Sequence, residues 1–221
     1  GDKVIVTCSS GPTQTRLHVI CVSAKDGSTI WHRQFWATGR TMCHSKTSVA
    51  APTPCSDGKL VYAVYSSNDV VCLDLDGNLQ WLRGLTADYA NVSNSLGMSS
   101  SPVVSGGTLV VQVENDSESY TLGLAKGSGI NRWRLDRPKA ANWTSPVVLR
   151  NGLVALQSSK GVHAVRAGDG TKVWSYDDGA STIPSSAIFD GVLYVPSRGI
   201  TALELNQGDA ANTPKQLWQS S

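Results

Sequence analysis

Hydrophobic positions along this chain occur in short runs separated by turn-forming residues. The clearest runs are rich in β-branched and aromatic residues and follow Asp-Gly, Asn-Gly or Gly-Gly type pairs: "KLVYAVY", "TLVVQVE", "GLVALQ" and "VLYVP". Such runs are typical of β-strands bounded by tight turns. Apolar residues do not recur at the i, i+3, i+4, i+7 spacing over about ten residues, so the pattern predicts no helix. The sequence therefore predicts an all-β protein.

A repeated unit becomes visible when the chain is aligned on its tryptophans. A Gly-containing turn and a few polar residues precede Trp31, Trp81, Trp133 and Trp174, as in "AKDGSTIW" and "AGDGTKVW", and a looser version ends at Trp218. These tryptophans are 41 to 52 positions apart. Each unit has a Ser/Pro-rich entry strand, a Gly turn, two further strands, a second Gly turn and the Trp-bearing strand. Four antiparallel strands repeated at this period predict the blades of a β-propeller.

The repeat assigns a structural role to these five tryptophans. The Asp-Gly pair supplies the positive φ angles of a tight hairpin between the third and fourth strands of a blade. We expect each indole to fill the gap between neighbouring blades near the outer rim. A ring that served catalysis or stacked on one ligand would not need to recur in register. Five tryptophans thus predict five blade junctions.

The segment "VHAVRAGDGTKVW" resembles the repeat of the pyrroloquinoline quinone (PQQ)-type β-propellers. That group contains quinoprotein dehydrogenases, the outer-membrane assembly lipoprotein scaffold and many secreted bacterial propellers. The resemblance covers essentially all of the chain and implies a single PQQ-like domain over 1–221, within the non-catalytic secreted bacterial branch. It also implies a periplasmic or extracellular location. The predicted blades span about 1–36, 48–84, 99–136, 143–177 and 183–220.

The alignment also predicts that the five blades form only part of a propeller. The segment "KVIVTC" matches the second strand of the other units, so blade one lacks its first strand and the chain has 19 predicted strands. Propellers that resemble this one close with seven or eight blades. We therefore expect an open arc, or one piece, of a larger propeller, which missing blades or another chain complete.

Composition and charge exclude several classes of protein. The chain is 40% hydrophobic and 16% charged with a net charge of +2, which is typical of a folded globular protein. Its Lys and Arg residues are scattered and do not form the clustered stripe of a nucleic-acid binder. No apolar run approaches the roughly 18 residues that cross a bilayer. The first ten residues lack the pattern of a signal peptide, so we expect any export signal to lie outside these 221 residues.

The enzyme hypothesis can be tested on the residues that the resemblance implies. A quinoprotein dehydrogenase would carry a vicinal Cys-Cys pair, a Ca²⁺ site of Glu, Asn and Asp, and a catalytic Asp. This chain has no Cys-Cys pair and no Cys-x-x-Cys-His motif. Several carboxylates fall in predicted turns, where they accept backbone hydrogen bonds: Asp26, Asp57, Asp74, Asp76, Asp169 and Asp190. We predict no catalytic residue and no cofactor, while PQQ with Ca²⁺ stays open as an alternative.

The cysteines do not have the spacing of a zinc site. They are Cys8, Cys21, Cys43, Cys55 and Cys72, and no two of them form a Cys-x₂₋₄-Cys pair. The adjacent Cys43 and His44 belong to one loop, which supplies too few ligands for a metal. The sequence thus predicts no metal site, and an odd number of cysteines leaves the redox compartment open.

Two of the cysteines belong to a column of small residues in the repeat. Cys21 and Cys72 align with the small residues of the other units, namely Gly123, Ala164 and Ala202. A free cysteine at such a position acts as a small hydrophobic residue. We expect Cys21 and Cys72 to be buried, reduced and more than about 7 Å apart at Cα.

The segments that the repeat does not explain are the connections between blades. Two are long (36–50 and 84–100), one is intermediate (136–145) and one is short (177–185). They should all emerge on one face around the central channel, and binding groups concentrate in long loops on a rigid scaffold. The candidate binding residues are basic, amide and aromatic: Arg40, His44, Lys46, Tyr89, Asn91, Asn94, Lys139, Asn142 and Trp143.

We expect these loop residues to converge at the channel mouth. In this arrangement Arg40 and His44 face Tyr89 and Asn94, and Trp143 forms a third wall. Such a set suits an anionic or carbohydrate-like ligand, or an extended segment of a protein partner. The alternative is that the loops merely cap the channel. Two function classes therefore stay open: a non-catalytic scaffold or recognition propeller, and a fragment of a PQQ-dependent quinoprotein oxidoreductase.

Overall fold

Strands dominate the structure and form five antiparallel sheets. The computed structural model describes residues 1–89, 96–205 and 213–220. In every sheet the strands lie in chain order, so each sheet is a meander. We number these sheets as blades 1 to 5. Blade 1 has three strands and each of the others has four.

The strands are short, as the sequence predicts. In chain order they are β1 (Lys3–Ser10), β2 (Arg16–Ser23) and β3 (Thr29–Trp36) in blade 1; β4 (Cys55–Ser56), β5 (Leu60–Val64), β6 (Asp69–Asp74) and β7 (Leu79–Gly84) in blade 2; β8 (Val103–Ser105), β9 (Thr108–Val113), β10 (Tyr120–Ala125) and β11 (Asn131–Asp136) in blade 3; β12 (Val147–Val148), β13 (Leu153–Ser158), β14 (Gly161–Arg166) and β15 (Lys172–Tyr176) in blade 4; and β16 (Ala187–Phe189), β17 (Val192–Pro196), β18 (Ile200–Glu204) and β19 (Lys215–Gln219) in blade 5. Within the described ranges the only helical segments are two 3₁₀ turns, Leu85–Ala87 and Arg150–Gly152. The predictions of an all-β chain and of propeller blades are confirmed.

Blade 1 lacks a counterpart of the first strand of the other blades. Trp31 on β3 pairs with Cys21 on β2, just as Trp81 on β7 pairs with Cys72 on β6. β3 therefore matches the fourth strand of a blade, and β1 matches the second. The predicted assignment of "KVIVTC" is confirmed, and the 19 strands of the described residues agree with the predicted number.

The hydrophobic core lies between the blades. Four clusters of buried side chains occupy the four junctions between consecutive blades; one of them joins Tyr62 and Cys72 of blade 2 to Leu109 and Leu122 of blade 3. A strand in a middle blade is thus covered on both faces, and every residue of β9 is buried. This arrangement explains why "TLVVQVE" is a nearly continuous apolar run with no polar face.

Each repeat tryptophan of the first three blades is bonded to the next blade. The indole Nε1 of Trp31 donates to Leu75 O at 2.9 Å, that of Trp81 to Lys126 O at 3.0 Å, and that of Trp133 to Ala167 O at 2.9 Å. The accepting carbonyls belong to the turn between the third and fourth strands of the following blade. Burial of such a ring stabilises a junction by roughly 2–3 kcal/mol.

The glycine of that turn makes room for the ring. A Cβ built on Gly77 or Gly129 would stand 2.7 Å from the indole of the preceding blade. The same glycines have φ angles of +81° and +71°, which L side chains rarely adopt. The glycine of this turn therefore satisfies two requirements. It adopts a left-handed backbone, and it leaves a surface flat enough for the neighbouring tryptophan.

The column of small residues lies directly opposite the tryptophans. In each blade the small residue pairs with the Trp across the third and fourth strands, and the register shifts at the next residue. The members are Cys21, Cys72, Gly123, Ala164 and Ala202. Cys21 and Cys72 are 0% exposed, so the prediction that they are buried is confirmed, and the structure places neither of them in a disulfide.

The Ser/Pro-rich entry of each unit has a structural explanation that the sequence did not reveal. The backbone N–H of Thr53 donates to Ser101 Oγ at 2.9 Å, that of Ser101 to Ser145 Oγ at 3.0 Å, and that of Ser145 to Ser185 Oγ at 2.9 Å. These residues precede the inner strands of successive blades, where β4 contacts β8 and β8 contacts β12. A ladder of serine hydroxyls thus links the blades along the inner side of the arc.

Trp218 departs from the expected pattern. Trp174 is 5% exposed at the junction of blades 4 and 5, whereas Trp218 on the last strand is 48% exposed. The structure therefore shows four blade junctions rather than the predicted five. The physical reason is that Trp218 faces outward from blade 5, where the described chain provides no further sheet to receive it.

Candidate binding face

One end of every blade carries the long connections. Because the strands of a blade alternate in direction, the turn between the second and third strands lies at the same end as the connection to the next blade. The contacts agree with this topology: the N–H of Leu85 donates to Asn68 O at 2.9 Å, and that of Arg137 to Ser119 O at 3.0 Å. We call this end the loop face. Its described residues belong to the connections 37–54, 85–89 with 96–102, 137–146 and 177–186 and to the turns 11–15, 65–68, 114–119, 159–160 and 197–199.

Successive connections on the loop face are hydrogen-bonded to one another. The N–H of His44 donates to Leu96 O at 2.9 Å, and the indole of Trp143 donates to Gly97 O at 2.9 Å. The backbone N–H of Trp143 in turn donates to Thr182 O at 2.8 Å. These bonds therefore link the described parts of the four connections into one surface.

Hydrogen bonds of short polar side chains hold the first two connections in place. Ser66 Oγ donates to Met42 O at 2.7 Å and accepts from the N–H of Met98 at 2.9 Å, so one hydroxyl joins both connections. The carboxylate of Asp69 is fully buried and accepts hydrogen bonds from Thr38 Oγ1 and Ser67 Oγ, both at 2.6 Å. These bonds satisfy the polar groups that such long segments bury.

A buried ion pair anchors the third connection. Arg137 Nε donates to Glu114 Oε1 at 2.6 Å, and these side chains are only 3% and 1% exposed. Asn142 Nδ2 donates to Glu114 Oε2 at 2.8 Å and to Gln157 O at 2.7 Å. Burial raises the pKa of the Glu114 carboxyl, and the attraction of Arg137 and its hydrogen bonds oppose that rise. Because each partner is desolvated, the network holds the connection in a single arrangement.

The structure places four of the predicted binding residues in the solvent. Arg40, His44 and Lys46 are exposed on the first connection, and Lys139 is exposed on the third. Trp143 is half-buried, and its indole contacts the second connection at Gly97. Asn91 and Asn94 lie outside the described residues. Whether any of these side chains binds a ligand stays a prediction.

Two predicted residues have a different environment from the one expected. Asn142 is buried and its amide is bonded within the protein, so it positions the loop and is not available to a ligand. Tyr89 packs against Tyr120 with ring centroids 4.5 Å apart, and Asn131 donates to its hydroxyl at 2.7 Å. Asn131 belongs to the outer strand of blade 3. The expectation that Tyr89 faces Arg40 and His44 at the channel mouth is therefore wrong, because stacking on Tyr120 turns it toward the rim.

A polar cleft opens on the loop face between blades 4 and 5. Its volume is about 690 Å³. The lining residues are mostly small or hydrophilic: Ser159, Asp178, Gly179, Ala180, Ser181, Ser197, Arg198, Gln219 and Ser220. They come from two adjacent hairpin turns, the fourth connection and the end of β19. Sequence reasoning missed this cleft, although the short connection "DDGASTIPS" with its small residues was a visible signal.

Large side chains lie at two of the other junctions. Tyr89 stacks on Tyr120 at the junction of blades 2 and 3, and the pair of Arg137 with Glu114 lies at that of blades 3 and 4. Two of the residues that line the cleft, Gly179 and Ala180, have almost no side chain.

PQQ with Ca²⁺, the group of the quinoprotein dehydrogenases, stays the open alternative. Over residues 1–89, 96–205 and 213–220 no three His, Cys, Asp or Glu side chains are grouped so that they could hold a metal ion. The chain also has no Cys-Cys pair. No step of a quinoprotein reaction can be assigned to these residues. In the same ranges no helix is long and apolar enough to span a membrane.

Tryptophan-linked four-stranded blades define a β-propeller of the PQQ-like repeat type. A family model described as outer membrane protein assembly factor BamB matches residues 15–184 and 101–216 of this chain. The chain belongs to that family. The outer membrane protein assembly factor BamB of Moranella endobia (strain PCIT) is 25% identical over 174 residues, which is 78% of this chain and 41% of the relative.

Solved structures show the same fold. BamB from Moraxella catarrhalis superposes with a TM-score of 0.58 at 20% identity and covers 92% of this chain and 54% of its own. A europium-containing methanol dehydrogenase gives a TM-score of 0.63 at 12% identity over 98% of this chain and 53% of its own. The quinohemoprotein alcohol dehydrogenase from Comamonas testosteroni gives 0.64 at 14% identity over 98% of this chain and 44% of its own. At these identities the likeness shows the fold alone. This chain spans about half of these relatives' length, or less.

Proposed function

We propose that this chain is a non-catalytic propeller scaffold that binds a protein partner at its loop face during outer membrane protein assembly in the periplasm. The observation that carries the proposal is the set of hydrogen bonds that joins His44 to Leu96, and Trp143 to both Gly97 and Thr182. They link the described parts of the four connections into one surface that hydrogen bonds hold in place. Preorganisation of this kind lowers the entropic cost of binding.

The composition of the loop face favours a protein partner over a small ligand. Arg40 and Lys46 lie on the first connection and Lys139 on the third, so the exposed polar groups are spread over several blades. Trp143 lies half-buried on the third connection. A dispersed set of basic and aromatic groups suits an extended protein segment, because such interfaces are enriched in Arg and Trp. The assembly role named for the family supports the same choice. A carbohydrate-like ligand is the alternative.

Site-specific photo-crosslinking in the native host tests this proposal. A photoreactive amino acid is placed at His44 or Lys139 on the loop face, and at Lys25 or Lys59 on the opposite end as matched exposed controls. We expect crosslinks to a discrete protein of the outer membrane assembly apparatus from the loop-face positions only. Crosslinks from the control positions alone, or adducts to glycans alone, would contradict the proposal.

The quinoprotein alternative leads to a different expectation. A fragment of a PQQ-dependent oxidoreductase would take up PQQ in the presence of Ca²⁺, with quinone absorbance and dye-linked alcohol oxidation. For a scaffold we expect neither signal after titration with PQQ and CaCl₂. Saturable PQQ uptake with dye reduction would replace the scaffold proposal with the enzymatic one.

A further inference from the structure

We propose that the cleft between blades 4 and 5 binds the carboxylate side chain of an acidic residue carried on an extended segment of the protein partner. This inference rests on the proposed function and adds to it a site and a ligand chemistry. The cleft is on the loop face and its volume is about 690 Å³. This space accommodates one acidic side chain together with the peptide groups on either side of it.

The cation of the site is Arg198. It lies in the turn between β17 and β18, lines the cleft and is exposed. Within the described chain it has no ion pair, whereas Arg83, Arg134 and Arg137 are each paired with a carboxylate. A guanidinium offers two parallel N–H groups that match the two oxygens of a carboxylate. Arg198 therefore has the geometry and the unused charge for an acidic side chain.

Neutral groups of the cleft complement the peptide backbone. Ser181 Oγ accepts a hydrogen bond from the N–H of Ile183 at 3.3 Å, so its own hydrogen is free to donate. Gln219 Nε2 donates to Ser197 Oγ at 3.4 Å, which leaves the amide oxygen of Gln219 free to accept. A peptide group presents one donor and one acceptor, and the cleft offers a partner for each. A small carboxylate without peptide groups would bind to Arg198 alone.

Asp178 restricts the charge of the ligand. Its carboxylate lines the cleft and accepts from the Tyr176 hydroxyl at 3.2 Å, without a cation as partner among the described residues. With Asp178 in the cleft, a carboxylate of charge −1 bound at Arg198 leaves one uncompensated negative charge, whereas a phosphate of charge near −2 leaves two and is therefore repelled more strongly. The same oxygens of Asp178 can accept from a backbone N–H of the segment. These charges favour an acidic peptide over a phosphorylated one.

Titration of the ¹⁵N-labelled full chain with N-acetyl-glutamate N-methylamide, followed by NMR, tests the site. We expect saturable shift changes at the amides of Gly179, Ser181 and Gly199 in the millimolar range. The uncharged glutamine analogue should bind about tenfold more weakly, as expected for loss of one charge-assisted hydrogen bond. Arg198→Gln should weaken binding of the glutamate probe to the same degree, while Arg166→Gln, on an exposed arginine at the opposite end, should leave it unchanged.

Three results would overturn the inference: equal binding of the two analogues, full binding by Arg198→Gln, or tighter binding of inorganic phosphate than of the glutamate probe. The crosslinking experiment separates this inference from the proposed function. If the partner is captured equally by the parent protein and by Arg198→Gln, the loop face binds a protein but the cleft does not hold its carboxylate. If no partner is captured while the probe binds at Arg198, the carboxylate site exists and the scaffold function is the part that fails.

Discussion

The indole of Trp81 lies against Gly129 of the next blade, so that a Cβ built on this glycine would stand 2.7 Å from Trp81 Cε3. The same indole donates to Lys126 O within the same turn. The two contacts join a ring from one repeat to a turn from the next. Because the pattern recurs with Trp31 and Gly77, a single residue pair per unit specifies how the units stack.

Substitution of Gly129 by Ala tests whether this contact stabilises the junction. Gly27 is the matched control: its φ is +74° against +71° for Gly129, but nothing lies within 4 Å of a Cβ built there. The left-handed backbone should make both substitutions unfavourable by roughly 1–2 kcal/mol. Gly129→Ala should lose a further 1–3 kcal/mol, roughly, because the methyl group displaces the ring. Urea denaturation curves give both values. Equal losses would show that the ring contact contributes nothing.

Replacement of Trp174 by Ala should lower the free energy of unfolding by about 3–5 kcal/mol. Trp174 is buried between blades 4 and 5, and its removal leaves a cavity between two sheets that cannot easily close. Trp218→Ala is the control, since Trp218 occupies the same repeat position but is half exposed. Its loss should be much smaller in the same denaturation assay. A comparable loss for Trp218 would mean that this ring is covered in solution.

Protonation of Asp57 at low pH should lower the stability of the folded protein. Lys126 Nζ lies 2.6 Å from Asp57 Oδ2 and joins the first turn of blade 2 to blade 3. Burial acts to raise the pKa of Asp57, but hydrogen bonds from Lys126 and from the N–H groups of Leu60 and Lys59 lower it to about 2. A depressed pKa stabilises the folded state above the unfolded value near 4, and this contribution is lost as the pH falls through about 2.

Asp57→Asn should therefore reduce stability at pH 7 by about 1–2 kcal/mol, less where water screens the partly exposed Lys126. The difference between variant and parent should shrink between pH 4 and pH 2, as measured by thermal unfolding at each pH. Asp190→Asn is the control at pH 7: this exposed carboxylate has no ion pair among the described residues, so its replacement should change stability much less. A constant difference down to pH 2 would exclude the ionised Asp57 as its source.

The rate of reaction with a thiol reagent should differ between exposed and buried cysteines. Burial raises the pKa of Cys72 to about 12, with the carboxylates of Asp57 and Asp74 adding to the rise, so its reactive thiolate is scarce at neutral pH. Cys8 is exposed. With a chromogenic disulfide reagent we expect Cys8 to react first, and Cys21 and Cys72 to react only after unfolding. Cys8→Ser should remove the fast phase. Fewer than five thiols in the urea-unfolded protein would reveal a disulfide and contradict the assignment of five free cysteines.

Much of the fold could be predicted because it depends on short-range signals that recur. Each unit contains apolar strand runs such as "TLVVQVE" and a Gly-containing turn before its tryptophan. The tryptophans, such as Trp31, Trp81 and Trp133, recur at a similar spacing from unit to unit. Local propensity and period are readable from neighbouring residues, and a repeat supplies several copies of the same evidence. The small residue opposite each tryptophan was recognised as a column for the same reason, although its partner across the strands was not known.

The tertiary structure alone decided the environment of the connections, because their contacts join residues far apart in sequence. The residue type and loop position of Asn142 predicted a binding residue. Glu114, which lies 28 positions away, instead holds its amide in the interior. Tyr89 stacks on Tyr120 and so points away from the channel mouth. The hydrogen bond between Ser101 and Ser145 forms only because the fold places their two blades side by side. The cleft lies between two blades beside the small residues Gly179 and Ala180, and a space between elements has no signature in any single stretch of sequence.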